Sequence, residues 1–194
     1  MKNRTLWIVL GVVAVVVVWV VSSYNTLVGK QEKVNEAWAN VETVYQRRAD
    51  LIPNLVSTVK GYAAHEQETL QSVTDARANA TSISIDPSTA TPEQMEAWMK
   101  AQNEVGSALG RLIAISESYP DLKASQNFLE LQTQLEGTEN RISTERNKYN
   151  ERVRGFNVSI RRFPTNLIAG IFGFEKMALF EAEEGANVAP VVEF

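Results

Sequence analysis

Apolar side chains recur at every third or fourth position through residues 34–62, and this row is the strongest pattern in the chain. Successive gaps alternate between four and three residues, an average of about 3.5, which places all members on one face of a helix. A strand would instead need apolar residues at every second position. We therefore predict a long helix whose apolar face is covered by other helices. The row consists of Val34, Trp38, Val41, Tyr45, Arg48, Ile52, Leu55, Val59 and Tyr62.

The same spacing predicts three long helices after residue 24. The first covers residues 24–80 and bends near Pro53, because proline removes a backbone hydrogen bond and crowds the preceding turn. The second follows a start signal at Thr91 and covers 91–118, and the third covers 121–163. The predicted fold class is all-α: an elongated antiparallel bundle of three long helices, followed by a short apolar C-terminal segment.

The run 6–24 carries no charged side chain and predicts a membrane-spanning helix. It would rise roughly 28 Å, close to the thickness of the hydrocarbon core of a bilayer. A cleaved signal peptide usually has a shorter apolar region, so we predict a retained anchor. Only Gly29 weakens the helix beyond the run, so the span is expected to continue into the first soluble helix. The expected anchor residues are Leu6, Trp7, Trp19 and Tyr24.

The charges beside this span predict its orientation. Lys2 and Arg4 precede the span and place the N-terminus in the cytoplasm by the positive-inside rule. Lys30 and Lys33 lie on the other side and weaken that signal. We expect a single-pass protein of the bacterial cytoplasmic (inner) membrane, with its soluble domain on the periplasmic or extracellular side.

Composition excludes several kinds of site and partner. The chain has no cysteine, so it has no disulfide, thiolate metal site or cysteine nucleophile. A net charge of −4 argues against a nucleic-acid partner. His65 is the one histidine, and without a second it lacks the zinc-protease pattern. We expect no cofactor, no metal and no enzymatic activity.

Arg48 stands on the apolar row, where an unpaired charge would be costly. We interpret it as part of a buried polar layer that fixes the register of the helices, with Glu139 or Glu145 as its ion-pair partner. A ligand-binding or catalytic site is the alternative interpretation. The expected layer consists of Arg48, Asp50, Gln102, Glu139 and Glu145.

The apolar segment 167–174 near the C-terminus resembles an interfacial membrane anchor, with Arg161 and Arg162 beside it. The three expected helices would rise about 80 Å, return about 40 Å and rise about 60 Å, which places this segment at the membrane-distal end. We therefore expect it to contact another subunit, with folding over the end of its own bundle as the alternative. The expected contact residues are Leu167, Ile168, Ile171, Phe172 and Phe174.

Several long motifs resemble the LemA family across nearly the whole chain. They are YNTLV at 24–28, AW at 37–38, RRADLIPNLV at 47–56, VKGYAAHE at 59–66, YPDLKA at 119–124, NF at 127–128, LEGTENRI at 135–142, YN at 149–150 and FGF at 172–174. The resemblance implies a bacterial membrane protein with one N-terminal span and a soluble helical domain, and brings no catalytic residues with it. The expected segments are a tail (1–5), a transmembrane helix (6–24), a LemA-like bundle domain (25–174) and an acidic tail (175–194).

The function that these features favour is structural. We expect a membrane-anchored scaffolding protein that contacts membrane lipid and assembles into a homo-oligomer through its bundle and its C-terminal segment. The alternative is an adaptor that presents its helical domain to an envelope protein partner, such as a membrane protease.

Overall fold

The structure, a computed structural model, describes residues 2–180, and it confirms the all-α fold class. The described residues form helices without any strand. A single 3₁₀ turn, Ser116–Ser118, follows the third helix. The helices are α1 Lys2–Tyr62, α2 Gln67–Ser82, α3 Pro92–Ile115, α4 Pro120–Lys123, α5 Gln126–Arg161 and α6 Thr165–Phe172.

Helix α1 is continuous for 61 residues, about 90 Å, and joins the apolar N-terminal run to the bundle without a break. Among the described helices it is the one that is long and apolar enough to cross a membrane. Side chains 4–19 are exposed, and Val20 is the first that packs against the core. Pro53 lies inside the helix without ending it.

The expected first soluble helix over 24–80 is wrong, because α1 ends at Tyr62 and the chain reverses through residues 63–66. Helix α2 then runs back along α1, where the Arg77 guanidinium donates a hydrogen bond from Nε to the Ala49 carbonyl at 2.7 Å. The reversal coincides with a gap in the apolar row, which has no strong member between Tyr62 and Leu70. Leu70 is buried again because α2 turns its own apolar face toward α1 and α3.

This additional reversal changes the direction of every later helix. Helix α3 runs parallel to α1, and α5 runs antiparallel to it, so α5 runs back toward the apolar N-terminal run of α1. Lys30, near the base of α1, donates a hydrogen bond to Ser159 near the end of α5. Higher up, the rings of Trp38 and Tyr149 lie 5.3 Å apart.

The expected membrane-distal position of the C-terminal apolar segment is therefore also wrong. Helix α6 packs beside the base of α1, where the ring centroids of Phe172 and Tyr24 are 4.7 Å apart. Because there are four long soluble stretches rather than three, the last one ends where the first one begins. The segment lies at the end of the bundle next to the apolar run 6–24.

The core has two halves stacked along α1. The distal half is built from α1, α2, α3 and the first part of α5. The proximal half contains α1, the rest of α5, α6 and the start of α3, together with Met177 and Phe180 from the chain after α6. Gly173 ends α6 in the left-handed conformation, with φ of 73°, and redirects the chain upward along α5. Residues 174–180 thus fill the space that α2 and α3 leave open in the half of the bundle next to the apolar run.

Candidate functional site

A buried arginine connects three helices in the middle of the bundle. The Arg48 side chain on α1 is almost completely buried, at 4% exposure. Its Nη2 donates to the backbone oxygen of Gln102 on α3 at 2.9 Å and to the Oε1 of the same residue at 2.6 Å. Its Nη1 donates to Oε1 of Glu139 on α5 at 3.2 Å. The guanidinium also lies 4.9 Å from the ring centroid of Tyr45.

The structure brings Arg48, Gln102 and Glu139 together but leaves the other two expected members of the layer apart. Asp50 is exposed and accepts a hydrogen bond from Gln46 at 2.7 Å. Glu145 accepts from the Lys148 ammonium at 2.8 Å. The layer is therefore a tie between three helices that opens to solvent at Glu139, whose side chain is 47% exposed.

A second constellation, absent from the sequence-based expectations, holds the chain after α6 against α5. The Asn157 amide donates to the Met177 carbonyl at 2.9 Å, and its Oδ1 accepts from the Met177 backbone N–H at 3.0 Å. Asn150 makes the same pair of bonds with Phe180, at 2.9 Å and 2.8 Å. We call Asn150 and Asn157 the asparagine clamp.

The distance between the two asparagines on α5 matches the distance between the two residues whose backbones they bind. Asn150 and Asn157 are two helical turns apart on α5, about 10.5 Å along the axis. Met177 and Phe180 are three residues apart in extended chain, which spans about 10 Å. An asparagine pair at this spacing, in line with the buried Val153 and Phe156, is the sequence signal that could have identified it.

The clamp positions the Phe180 ring within a cluster of aromatic rings. The Phe180 ring stacks on Trp38 with centroids 5.8 Å apart, meets Tyr149 edge-on at 5.1 Å, and lies 5.9 Å from Trp98. The Arg146 guanidinium covers its outer face at 4.9 Å. Met177 and Phe180 of the expected acidic tail are thus part of the core, with Ala178 and Leu179 packed against it. Residues 181–194 lie outside the described residues.

Burial of this cluster also affects its hydroxyl groups. Burial raises the pKa of the Tyr149 hydroxyl, which donates to the Ala178 carbonyl at 3.1 Å. Burial likewise raises the pKa of Tyr45, beside the arginine layer. Both side chains therefore stay neutral and act as hydrogen-bonding parts of the core rather than as acids or bases near neutral pH.

At the end of the bundle next to the apolar run, the expected contact residues divide between two faces of α6. Ile168 is buried and Phe174 is half-buried, whereas Leu167, Ile171 and Phe172 are exposed. The expected anchor residues Leu6, Trp7, Trp19 and Tyr24 all lie on α1 with exposed side chains. These exposed apolar side chains and the base of α1 form the second candidate site.

At the other end of the bundle, His65 is exposed in the reversal between α1 and α2. The neighbouring Glu66 accepts a hydrogen bond from the Tyr119 hydroxyl at 3.0 Å, and this bond raises the pKa of Tyr119. No group of three or more histidine, aspartate or glutamate side chains placed to hold a metal ion occurs among residues 4–180.

Comparison with known proteins adds a family match and several relatives. The model of the LemA family matches residues 37–194. Magnetosome protein MamQ 2 of Paramagnetospirillum magneticum is 30% identical over 95% of this chain and 73% of its own length. MamQ of Magnetospirillum gryphiswaldense is 28% identical over 87% of this chain and 68% of its own length. Protein LemA of Metamycoplasma hominis is 28% identical over 82% of this chain and 69% of its own length.

Removing the buried arginine should destabilise the fold much more than removing its exposed partner. Arg48→Ala should lower the free energy of unfolding by about 2–4 kcal/mol, since it leaves the buried side-chain oxygen of Gln102 without its donor. Glu139→Gln should cost less than about 1 kcal/mol, because that carboxylate is half-exposed. Chemical denaturation of the full chain in detergent measures both. Arg47→Ala, at the exposed neighbouring position, is the control, and equal losses for Arg48→Ala and Arg47→Ala would contradict the tie.

Weakening the clamp should release the C-terminal chain while the helices stay folded. Asn150→Ala removes both hydrogen bonds to the Phe180 backbone. If this loss costs about 1.4 kcal/mol of local stability, the fraction of molecules in which residues 174–180 are detached from α5 rises roughly tenfold. Trypsin cleavage after the exposed Lys176 should therefore accelerate by about that factor. Asn147→Ala, at an exposed position on the same helix, should leave the rate unchanged. Identical cleavage rates for the two variants would show that the clamp contributes nothing.

Proposed function

The chain belongs to the LemA family, and on this premise we propose that it is a membrane-anchored scaffolding protein. Its helical bundle would stand on the bacterial cytoplasmic membrane and assemble there with other copies of the chain. The observation that carries the proposal is the continuity of α1 from the apolar run into the bundle core.

Because α1 is continuous, the bundle is rigidly joined to the proposed membrane anchor. A flexible linker between span and domain would let the domain sample many orientations over the bilayer. Here the same helix that is exposed along residues 4–19 is packed from Val20 onward, so no free segment separates the two environments. The bundle therefore has a fixed height and direction relative to the membrane, which suits a protein that positions other molecules.

The arginine layer and the clamp support the same function, because both make the bundle rigid. Arg48 joins α1 to α3 and α5 halfway along the bundle. The clamp and Phe180 close the half nearer the membrane. Lys2 and Arg4, which precede the span, favour a cytoplasmic N-terminus and a bundle on the outer side of the membrane.

A second candidate function is an adaptor for an envelope protein, and a groove between α2 and α3 favours it. Ala76 and Ala108 line this groove, and the charged side chains of Glu104 and Arg111 lie beside them. Short side chains facing each other across two antiparallel helices leave room for a segment of another protein. The adaptor would use this groove, whereas a self-assembling scaffold needs contacts between copies.

Counting copies in the membrane separates the two functions. The full chain is extracted with its surrounding lipid into polymer-bounded discs, at a dilution where two unrelated copies rarely share a disc, and the particle masses are measured. The scaffold predicts several copies in each particle. One copy with a stoichiometric second protein, lost in Ser107→Trp at an exposed groove position but retained in the exposed α5 control Gln134→Trp, would favour the adaptor. One copy and no second protein would contradict both.

A further inference from the structure

The lowest part of the bundle is a hairpin that points toward the membrane. Helix α5 descends to Arg161, α6 crosses beneath, and the chain after Gly173 climbs back along α5. After Gly173 the chain contacts progressively earlier residues of α5, which shows that it runs antiparallel to that helix. Phe174 lies beside Phe156, Met177 is hydrogen-bonded to Asn157, and Phe180 is hydrogen-bonded to Asn150. Residues 161–173 are therefore the membrane-proximal tip of the bundle.

This tip exposes large apolar side chains. Phe163 is 76% exposed, Ile171 is 75% exposed, and Leu167 and Phe172 are about half-exposed. Leu167 and Ile171 are four residues apart and lie on one face of α6, while Ile168 and Ala169 pack inward. A helix that is apolar on both its faces is unusual at a surface in contact with water. The outer face of α6 therefore requires an apolar environment.

The position of α6 relative to the apolar run identifies that environment. The ring of Phe172 is 4.7 Å from Tyr24, the last residue of the run 6–24. Val20, one turn earlier within the run, already packs against the core that contains Ile168 and Ala169. Helix α6 thus lies at the level of the last turn of the span, where the hydrocarbon core gives way to lipid headgroups.

The charges at the tip fit the headgroup layer. Arg161 and Arg162 are exposed immediately before Phe163, and Lys176 is exposed just after the hairpin, with Glu175 as the neighbouring acid. Basic side chains next to apolar ones are the combination that places a helix at the boundary between headgroups and acyl chains. A second copy of the chain covering the same face would have to enter that layer as well.

We propose that the tip 161–173 inserts its outer face into the headgroup–acyl boundary of the membrane that α1 crosses. Phe163, Leu167 and Ile171 enter the acyl region, and Arg161 and Arg162 contact lipid phosphates. The bundle then has two attachments to one bilayer, a spanning helix and an interfacial helix held against it by Tyr24. Two attachments restrict tilt, which a single span alone does not. The inference rests on α1 crossing the membrane, and it is independent of self-assembly.

The absence of cysteine from the chain allows a direct test with the full-length protein. Single cysteines are introduced as Ile171→Cys, Phe163→Cys, Val15→Cys and Leu129→Cys, all at exposed positions. Each is labelled with an environment-sensitive fluorophore and reconstituted at one copy per disc in phosphatidylcholine with phosphatidylglycerol. Lipids that carry a nitroxide near the headgroup then report contact with lipid, and iodide reports contact with water.

Labels at 171 and 163 should be quenched by the nitroxide lipids at least about twofold more than the label at 129, and less by iodide. The label at 15, within the span, is the positive control. Lipid quenching at 15 without quenching at 171 and 163 overturns the interfacial helix while α1 still spans. No quenching at 15 overturns the span itself. Labels at 171 shielded from iodide only when discs hold several copies would make the tip a contact between copies, which also overturns the proposal.

Discussion

The structure depends on one helix, α1, which continues from an exposed apolar run into the core of the bundle. The first part of α1 is largely apolar and is exposed along residues 4–19, and from Val20 onward the same helix supplies the central row of the bundle core. Backbone hydrogen bonds are satisfied within the helix in both environments. The transition therefore needs no linker, and the helices that pack on α1 have a fixed position relative to its apolar N-terminal run.

The number of reversals along the chain decides which end of the bundle lies beside the apolar N-terminal run of α1. Because α2 and α3 form an additional antiparallel pair, α5 descends instead of ascending, and its end returns to Tyr24. Helix α2 and most of α3 pack in the distal half of the core, so the proximal half lacks their side chains around α1 and α5. Residues 174–180 pack there instead, and the backbones of Met177 and Phe180 are hydrogen-bonded by the clamp rather than by a helix or sheet.

The periodic row of α1 was sufficient to predict the helical class and the buried position of Arg48. The uncharged run 6–24 was sufficient to predict that an apolar helix continues into the bundle. It could not reveal the reversal at 63–66, because residues on either side of a turn can share one period by chance. Glu139 and Glu145 were equally eligible partners for Arg48, and only the register of α5 against α1 distinguishes them. The clamp depends on a contact between residues 20 or 30 positions apart, which local periodicity does not encode.

The direction of α5 is the claim on which the account depends, and paired cysteines measure it directly. Lys30→Cys combined with Ser159→Cys places two thiols where the native side chains are hydrogen-bonded. Lys30→Cys combined with Leu129→Cys places the second thiol 30 residues earlier on the same helix, about 45 Å away along its axis. A short cross-linker should join 30 to 159 within one chain and leave 30 and 129 unlinked. Linkage of 30 to 129 instead would mean that α5 ascends from the membrane, and would contradict this structure.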